Sequence, residues 1–129
     1  MSRKSKGINA ERSLIHKFWA HNWAAIRVAG SGSSKYPSPD VLAGNNLRKL
    51  AIECKTSKEK TRYLTFDEIQ DLKEFSNLFG AESWIAIKFD KTDWFFLTLD
   101  DLKKTQGNYV ITREMLKTKG ILFEELIRD

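Results

Sequence analysis

A hairpin with an acidic residue on each strand is the feature that most constrains how this chain can fold. Residues 40–43 predict a short strand and residues 50–55 a second strand, with Gly-Asn-Asn turn chemistry between them. If the hairpin is symmetric about the bond between residues 46 and 47, Asp40 lies opposite Glu53. Opposed residues have Cβ atoms roughly 4.5–5.5 Å apart, so the two like charges repel. Local stability does not call for such a pair.

A lysine lies beside this acidic pair. Side chains alternate between the two faces of a strand, so Glu53 and Lys55 share one face and Cys54 takes the other. A divalent cation would turn the repulsion into attraction, and Mg²⁺ prefers carboxylate oxygens. The pattern therefore predicts a site for metal and phosphate, with Lys55 beside the phosphate. A solvated face, an ion pair between the lysine and an acid, and a one-residue slip of register are the alternatives.

A third carboxylate is predicted on the first helix, over residues 8–22. Glu11 precedes Leu14, Ile15 and Phe18 at helical spacing and therefore lies on the apolar face. A glutamate there is costly unless it is paired or bound to metal. The alternative is an acid in the first turn, favoured by the helix dipole.

Composition limits the class of protein. The 129 residues suit one domain over 1–129. The sequence contains no apolar run of about 18 residues, so we expect no membrane-spanning helix. The net charge of +5 fits a polyanionic partner such as nucleic acid, or simply a soluble surface. With one cysteine, Cys54, no intramolecular disulfide forms, and a cytoplasmic location in contact with DNA is the simplest inference.

The remaining pattern predicts a mixed α/β domain with a central sheet flanked by helices. The other predicted elements are a strand over 23–28, a charged loop over 56–62, a helix with a capping box at Thr65 that ends at Phe79, a hairpin of 84–89 with 94–97, and a short helix from Thr112 to about Lys119.

Candidate DNA contacts lie in the loop over 30–39 and at several cations. The loop offers backbone amides and hydroxyls to phosphate, with Ser31 and Ser33 as the most suitable hydroxyl donors. The cations that we expect to hold backbone phosphates are Arg12, Arg27, Lys35, Lys58, Lys60 and Arg62. A flexible loop and ordinary solvated charges are the alternatives.

Two aromatic residues at the end of the middle helix suggest an assembly surface. Phe75 and Phe79 are four residues apart and therefore lie on one side of the helix. Such spacing is typical of core packing, and it also suits a self-complementary patch between two copies of the chain.

Taken together, these motifs resemble the PD-(D/E)xK nuclease superfamily and, more closely, the archaeal Holliday junction resolvases. The segments that carry the resemblance are residues 9–12, 27–31, 39–44, 52–55 and 74–76, with 86–89 also similar. The resemblance implies a restriction-endonuclease-like fold and a homodimer that binds four-way DNA junctions. It also implies paired nicks in opposing strands during recombination and repair, with Mg²⁺ as the cofactor and Mn²⁺ as a substitute.

The resemblance also implies roles for individual residues. Glu11, Asp40 and Glu53 match the metal-binding acids, and Lys55 matches the catalytic lysine. The residues that match positions for DNA contact or catalysis are Arg12, Arg27 and a loop serine, and those that match dimer-forming aromatics are Phe75 and Phe79. Recombination or replication proteins are expected partners. A restriction- or repair-type nuclease of the same superfamily and a non-catalytic DNA-binding module are the competing hypotheses.

Overall fold

A six-stranded mixed sheet with helices on its two faces forms the centre of the protein, as the sequence predicts. The computed structural model describes residues 3–30 and 35–128. In chain order the elements are α1 (Arg3–Ala20), β1 (Ala24–Arg27), β2 (Val41–Gly44), β3 (Lys49–Ser57), β4 (Thr61–Thr65), α2 (Phe66–Phe79), β5 (Glu82–Phe89), β6 (Phe95–Leu97), a 3₁₀ turn (Leu99–Asp101), β7 (Lys103–Lys104), β8 (Asn108–Thr112), α3 (Arg113–Leu116), β9 (Ile121–Leu122) and α4 (Phe123–Leu126).

The central sheet has the strand order β1-β2-β3-β5-β6-β9. Strands β3 and β5 are parallel, and the other neighbours in this sheet are antiparallel. A parallel pair requires a crossover connection, which β4 and α2 supply here. The predicted hairpin of β5 and β6 is confirmed, with Ile85 opposite Leu97 and Ile87 opposite Phe95.

Apolar side chains fill both sides of this sheet. The side that carries α1 and α4 packs Leu14 and Phe18 against strand residues such as Ile52. The opposite side packs Ile69 and Leu72 of α2 against other strand residues. Because β3 contributes to both clusters, its alternating side chains are anchored on each face. The polar end of β3 is therefore attached to a rigid support.

The start and end of α2 follow the predicted signals. The Thr65 hydroxyl accepts a hydrogen bond from the Glu68 backbone N–H at 3.0 Å, and a Glu68 carboxylate oxygen accepts one from the Thr65 N–H at 3.0 Å. This reciprocal capping box satisfies two amides that the helix leaves unpaired. Gly80, with φ of 83°, ends the helix in the left-handed conformation that glycine adopts readily.

Three predicted boundaries are wrong. The first helix begins at Arg3 rather than at residue 8, and α3 stops at Leu116 rather than near Lys119. The predicted charged loop over 56–62 is instead the end of β3, a tight turn and the start of β4. Strand β4 pairs with β8 in a second sheet of order β4-β8-β7, and this tertiary pairing outweighs the local charge.

None of the helices within residues 3–30 and 35–128 combines the length and the apolarity that crossing a bilayer requires.

Candidate active site

The hairpin of β2 and β3 brings Asp40 next to Glu53. Val41 pairs with Ile52 and the ladder continues to the pair of Gly44 with Lys49, which confirms the predicted symmetric register. Asp40 lies one residue before this ladder, and its backbone N–H donates to the Ile52 carbonyl at 3.0 Å. Its carboxylate accepts a hydrogen bond from the Cys54 N–H at 2.8 Å. The Asp40 carboxylate is therefore held against β3.

Glu53 shows the electrostatic consequence of this arrangement. The pKa of Glu53 is raised to about 8, first by burial and then by the nearby Asp40 charge, and Lys55 partly opposes both effects. A carboxylate that is buried beside another carboxylate holds its proton more tightly, because the charged form loses hydration and is repelled. A cation bound between the two carboxylates would favour the charged form of Glu53 and so oppose both effects.

Glu11 enters the same region from α1. Burial raises its pKa to about 7, with the Asp40 charge as the next cause, while the charges of Arg27 and Lys55 lower it. The Arg27 guanidinium lies 3.8 Å from the Glu11 carboxylate, and 18% of the Glu11 side chain is exposed. The charge of Asp40 thus raises the pKa of two glutamates, Glu11 on α1 and Glu53 on β3. The inward orientation predicted from the helix phase is confirmed.

Lys55 completes the cluster on the opposite side of Glu53. Its Nζ atom is 3.4 Å from the Glu53 carboxylate and donates a hydrogen bond to Glu68 on α2. Burial alone lowers the pKa of Lys55, but the hydrogen bond to Glu68 and the charges of Glu53 and Glu68 outweigh it and raise the pKa. The ammonium therefore stays protonated although only 13% of the side chain is exposed.

Glu68 is part of this cluster, although its sequence position predicts only a capping residue. The capping role is confirmed. The same carboxylate contacts Lys55, and this hydrogen bond lowers the pKa of Glu68 against the effect of burial. The available signal in the sequence was a glutamate in the first turn of the helix that follows Glu53, Cys54 and Lys55.

The carboxylates can be tested as a metal site by their chemistry. Within residues 3–30 and 35–128, no three His, Cys, Asp or Glu side chains converge closely enough to enclose an ion. Mg²⁺ does not require such a cage, because it commonly binds one or two carboxylates and completes its shell with water and substrate phosphate. Asp40 and Glu53 provide hard carboxylate oxygens, and the charge of Asp40 acts on Glu53, so the two groups are close to each other. The residues fit a divalent cation.

The predicted DNA-contacting cations lie at different distances from this cluster. Arg27 contacts Glu11, and Arg62 is close enough for its charge to act on Lys55. The Arg62 Nε atom is buried, with no hydrogen-bond partner in the part of the chain that the structure describes. The remaining predicted cations are exposed, namely Arg12, Lys35, Lys58 and Lys60. Ser31 and Ser33 lie outside the described residues.

A cationic depression near the β3–β4 turn was not predicted. It has a volume of about 410 Å³, and its charged lining residues are the cations Lys60, Arg113 and Lys117 and one acid, Glu114, which lies 3.2 Å from the Lys117 ammonium. The Arg113 N–H donates to the Lys60 carbonyl at 3.0 Å, which joins the turn to the start of α3. Positive charges that are far apart in sequence are therefore adjacent on the surface.

Phe75 and Phe79 lie together on the surface side of α2. Their rings stack with centroids 5.2 Å apart, and Lys49 lies over the Phe79 ring at 5.8 Å. Phe79 is 49% exposed, and its neighbour Leu78 is 83% exposed. The end of α2 therefore presents apolar surface to the exterior.

Comparison with known proteins gives the family. A family model described as archaeal Holliday junction resolvase (Hjc) matches residues 2–129. The crossover junction endodeoxyribonuclease Hjc of Archaeoglobus fulgidus is 41% identical over 129 residues, with 95% of each chain covered. The Sulfolobus acidocaldarius protein of the same name is 36% identical, covering 99% of this chain and 90% of the relative.

The structural comparison agrees with these matches. A 1.6 Å structure of Archaeoglobus fulgidus Hjc, described as a Holliday junction resolvase from an archaeal hyperthermophile, has a TM-score of 0.86 and 39% identity, covering 93% of this chain and 98% of that one. The chain therefore belongs to the archaeal Holliday junction resolvase family.

Proposed function

We propose that the chain is a structure-selective endodeoxyribonuclease that resolves four-way DNA junctions by paired nicks in opposing strands. The observation that carries the proposal is the line of charges from Glu11 through Asp40 and Glu53 to Lys55, in a chain of the resolvase family. The junction as substrate comes from the names of the relatives, which are crossover junction endodeoxyribonucleases. The activity belongs to recombination and repair inside the cell, and residues 1–129 act as one nuclease domain.

Asp40 and Glu53 bind the metal ion, and Glu11 is the third metal-binding acid. The cofactor is Mg²⁺, with Mn²⁺ as a substitute. When bound, the cation polarises the phosphate and lowers the pKa of water so that hydrolysis proceeds near neutral pH. The support for this assignment is the central position of Asp40, whose charge raises the pKa of both Glu11 and Glu53 and whose carboxylate is held to β3 by the Cys54 N–H.

Lys55 acts directly on the phosphate. Its protonated ammonium is fixed among buried groups, where an electrostatic interaction is stronger than in water. It stabilises the additional negative charge that develops on the phosphate oxygens as water attacks. Because Lys55 is held by acids on both sides, it keeps its orientation without the substrate.

The cationic surface and the apolar end of α2 complete the proposal. Arg12, Arg27 and Arg62 lie on elements that flank the cluster and hold backbone phosphates, which carry no sequence information. Phe75 and Phe79 form the contact between two copies of the chain. A two-fold dimer supplies two equivalent sites, which suits paired cuts in opposing strands.

The decisive experiment compares a four-way junction, a nicked duplex and a linear duplex, each with and without Mg²⁺. We expect fast cutting of the junction with Mg²⁺ only. Asp40→Asn and Glu53→Gln should abolish cutting and retain junction binding, whereas Asp100→Asn, which removes an exposed acid elsewhere, should leave both intact. Equal cutting of linear duplex would favour a restriction- or repair-type nuclease. Binding without cutting in Mg²⁺ and Mn²⁺ would favour a non-catalytic module.

A further inference from the structure

The Glu68 carboxylate uses its two oxygens for different purposes. Oε1 accepts a hydrogen bond from the Thr65 backbone N–H at 3.0 Å, while Oε2 accepts one from the Lys55 ammonium. The first contact caps α2, and the second reaches a side chain on β3. The Glu68 side chain is 31% exposed and that of Lys55 is 13% exposed, so the contact between them is partly shielded from water, whereas the capping contact is exposed.

We infer that Glu68 is a positioning residue for Lys55, an inference that rests on the proposed function. Two acids compete for the ammonium, because Glu53 lies 3.4 Å from Nζ on the same strand. If Glu68 were absent, Lys55 would pair with Glu53 alone and neutralise a carboxylate that the metal requires. Glu68 draws the ammonium toward α2 and leaves Glu53 available.

The position of Glu68 is itself determined by the packing of α2. Its backbone N–H donates to the Thr65 hydroxyl at 3.0 Å, so the residue is bound at two points in the first turn. Ile69, the next residue, and Leu72, one turn further on, are buried in the core cluster that includes Ala51 of β3. The helix and the strand therefore fix the distance between the glutamate and the lysine. The long, flexible lysine side chain has much rotational freedom to lose, and the bridge restricts it.

Glu68→Gln separates positioning from capping. Glutamine keeps an oxygen that can accept from the Thr65 N–H, and it is the usual alternative to glutamate in a capping box. It removes the charge that holds Lys55. The matched control is Asp67→Asn, which makes the same change of charge at an exposed acid in the same turn.

We expect Glu68→Gln to lower the single-turnover rate of junction cleavage at least tenfold at saturating Mg²⁺. The dissociation constant for the junction without Mg²⁺ should stay within twofold of the wild-type value. Asp67→Asn should leave both quantities unchanged. Cleavage by Glu68→Gln as fast as that by Asp67→Asn, or a loss of binding that accounts for the slower cleavage, would overturn the inference.

A second measurement does not depend on activity. Urea unfolding of the metal-free wild type, Glu68→Gln, Lys55→Met and the double variant forms a double-mutant cycle. We expect the destabilisation by Glu68→Gln to disappear in the Lys55→Met background. Additive effects would mean that the bridge is not formed, and the inference would fail. A wild-type protein that cuts no junction would instead refute the proposed function, and the cycle would still report on the bridge.

Discussion

Replacing Glu53 by Gln should stabilise the metal-free protein at pH 8, although we expect the same change to abolish cleavage. Burial and the Asp40 charge raise the pKa of Glu53 from 4.5 to about 8. The folded protein therefore binds this proton more tightly than the unfolded chain does. The stability that the group contributes is present below the unfolded pKa and is lost as the pH rises through the folded pKa.

The size of the effect follows from the shift. Each pKa unit corresponds to about 1.4 kcal/mol, so the change from 4.5 to about 8 sets an upper bound of about 5 kcal/mol. Since 16% of the Glu53 side chain is exposed, water and small movements of the side chain reduce this cost. We expect Glu53→Gln to raise the free energy of unfolding at pH 8 by roughly 2 kcal/mol, within the range usual for single substitutions. Near pH 5 the gain should be much smaller.

The assay is urea unfolding in the presence of a chelator at several pH values between 5 and 8. Glu82→Gln is the matched control, because hydrogen bonds from Arg48 lower the pKa of Glu82. A lowered pKa contributes stability above the unfolded value and loses it as the pH falls, so this control should destabilise the protein at pH 8. The reasoning is refuted if Glu53→Gln is no more stable than the wild type at pH 8.

Two further predictions concern surfaces outside the acidic cluster. Sedimentation velocity should show a shift from dimer to monomer when Phe75 and Phe79 are both changed to Ala, because a stacked and partly exposed ring pair is removed; an unchanged dimer would exclude these residues from the contact. Changing Arg113 and Lys117 to Gln should make the salt dependence of junction binding less steep by about 1–2 in log–log slope, since each phosphate contact contributes about 0.9. Arg128→Gln is the control for loss of positive charge, because Arg128 lies near the start of β3, where its backbone carbonyl is 3.3 Å from Arg48, and the depression lies beyond the other end of β3. Equal effects of the two changes would show that the cationic depression does not bind DNA.

The acidic pair of Asp40 and Glu53 was predictable because it depends on local rules. A hairpin with a short turn has a register that its sequence restricts, and the alternation of strand side chains then places Asp40 and Glu53 together. The orientation of Glu11 follows in the same way from helix periodicity. Each inference uses residues that are close in the chain, where the backbone geometry is nearly fixed.

The cationic depression was not predictable by these rules. The charges over residues 56–62 predict a loop, which overlaps the first two residues of β4 (Thr61–Thr65). Strand β4 forms because β8 pairs with it from far along the chain. The same pairing brings Arg113 beside Lys60. Contacts that join distant segments are decided by tertiary packing, which a local pattern does not report.

Glu68 was missed for a different reason, since its position already had a sufficient local explanation. A glutamate three residues after Thr65 completes a capping box, and nothing further is required to account for it. In the folded protein the two roles are compatible because one oxygen serves the helix and the other serves Lys55. A carboxylate has more acceptor positions than a cap requires. An acid in the first turn of a helix that packs beside a lysine-bearing strand therefore needs to be considered for both roles.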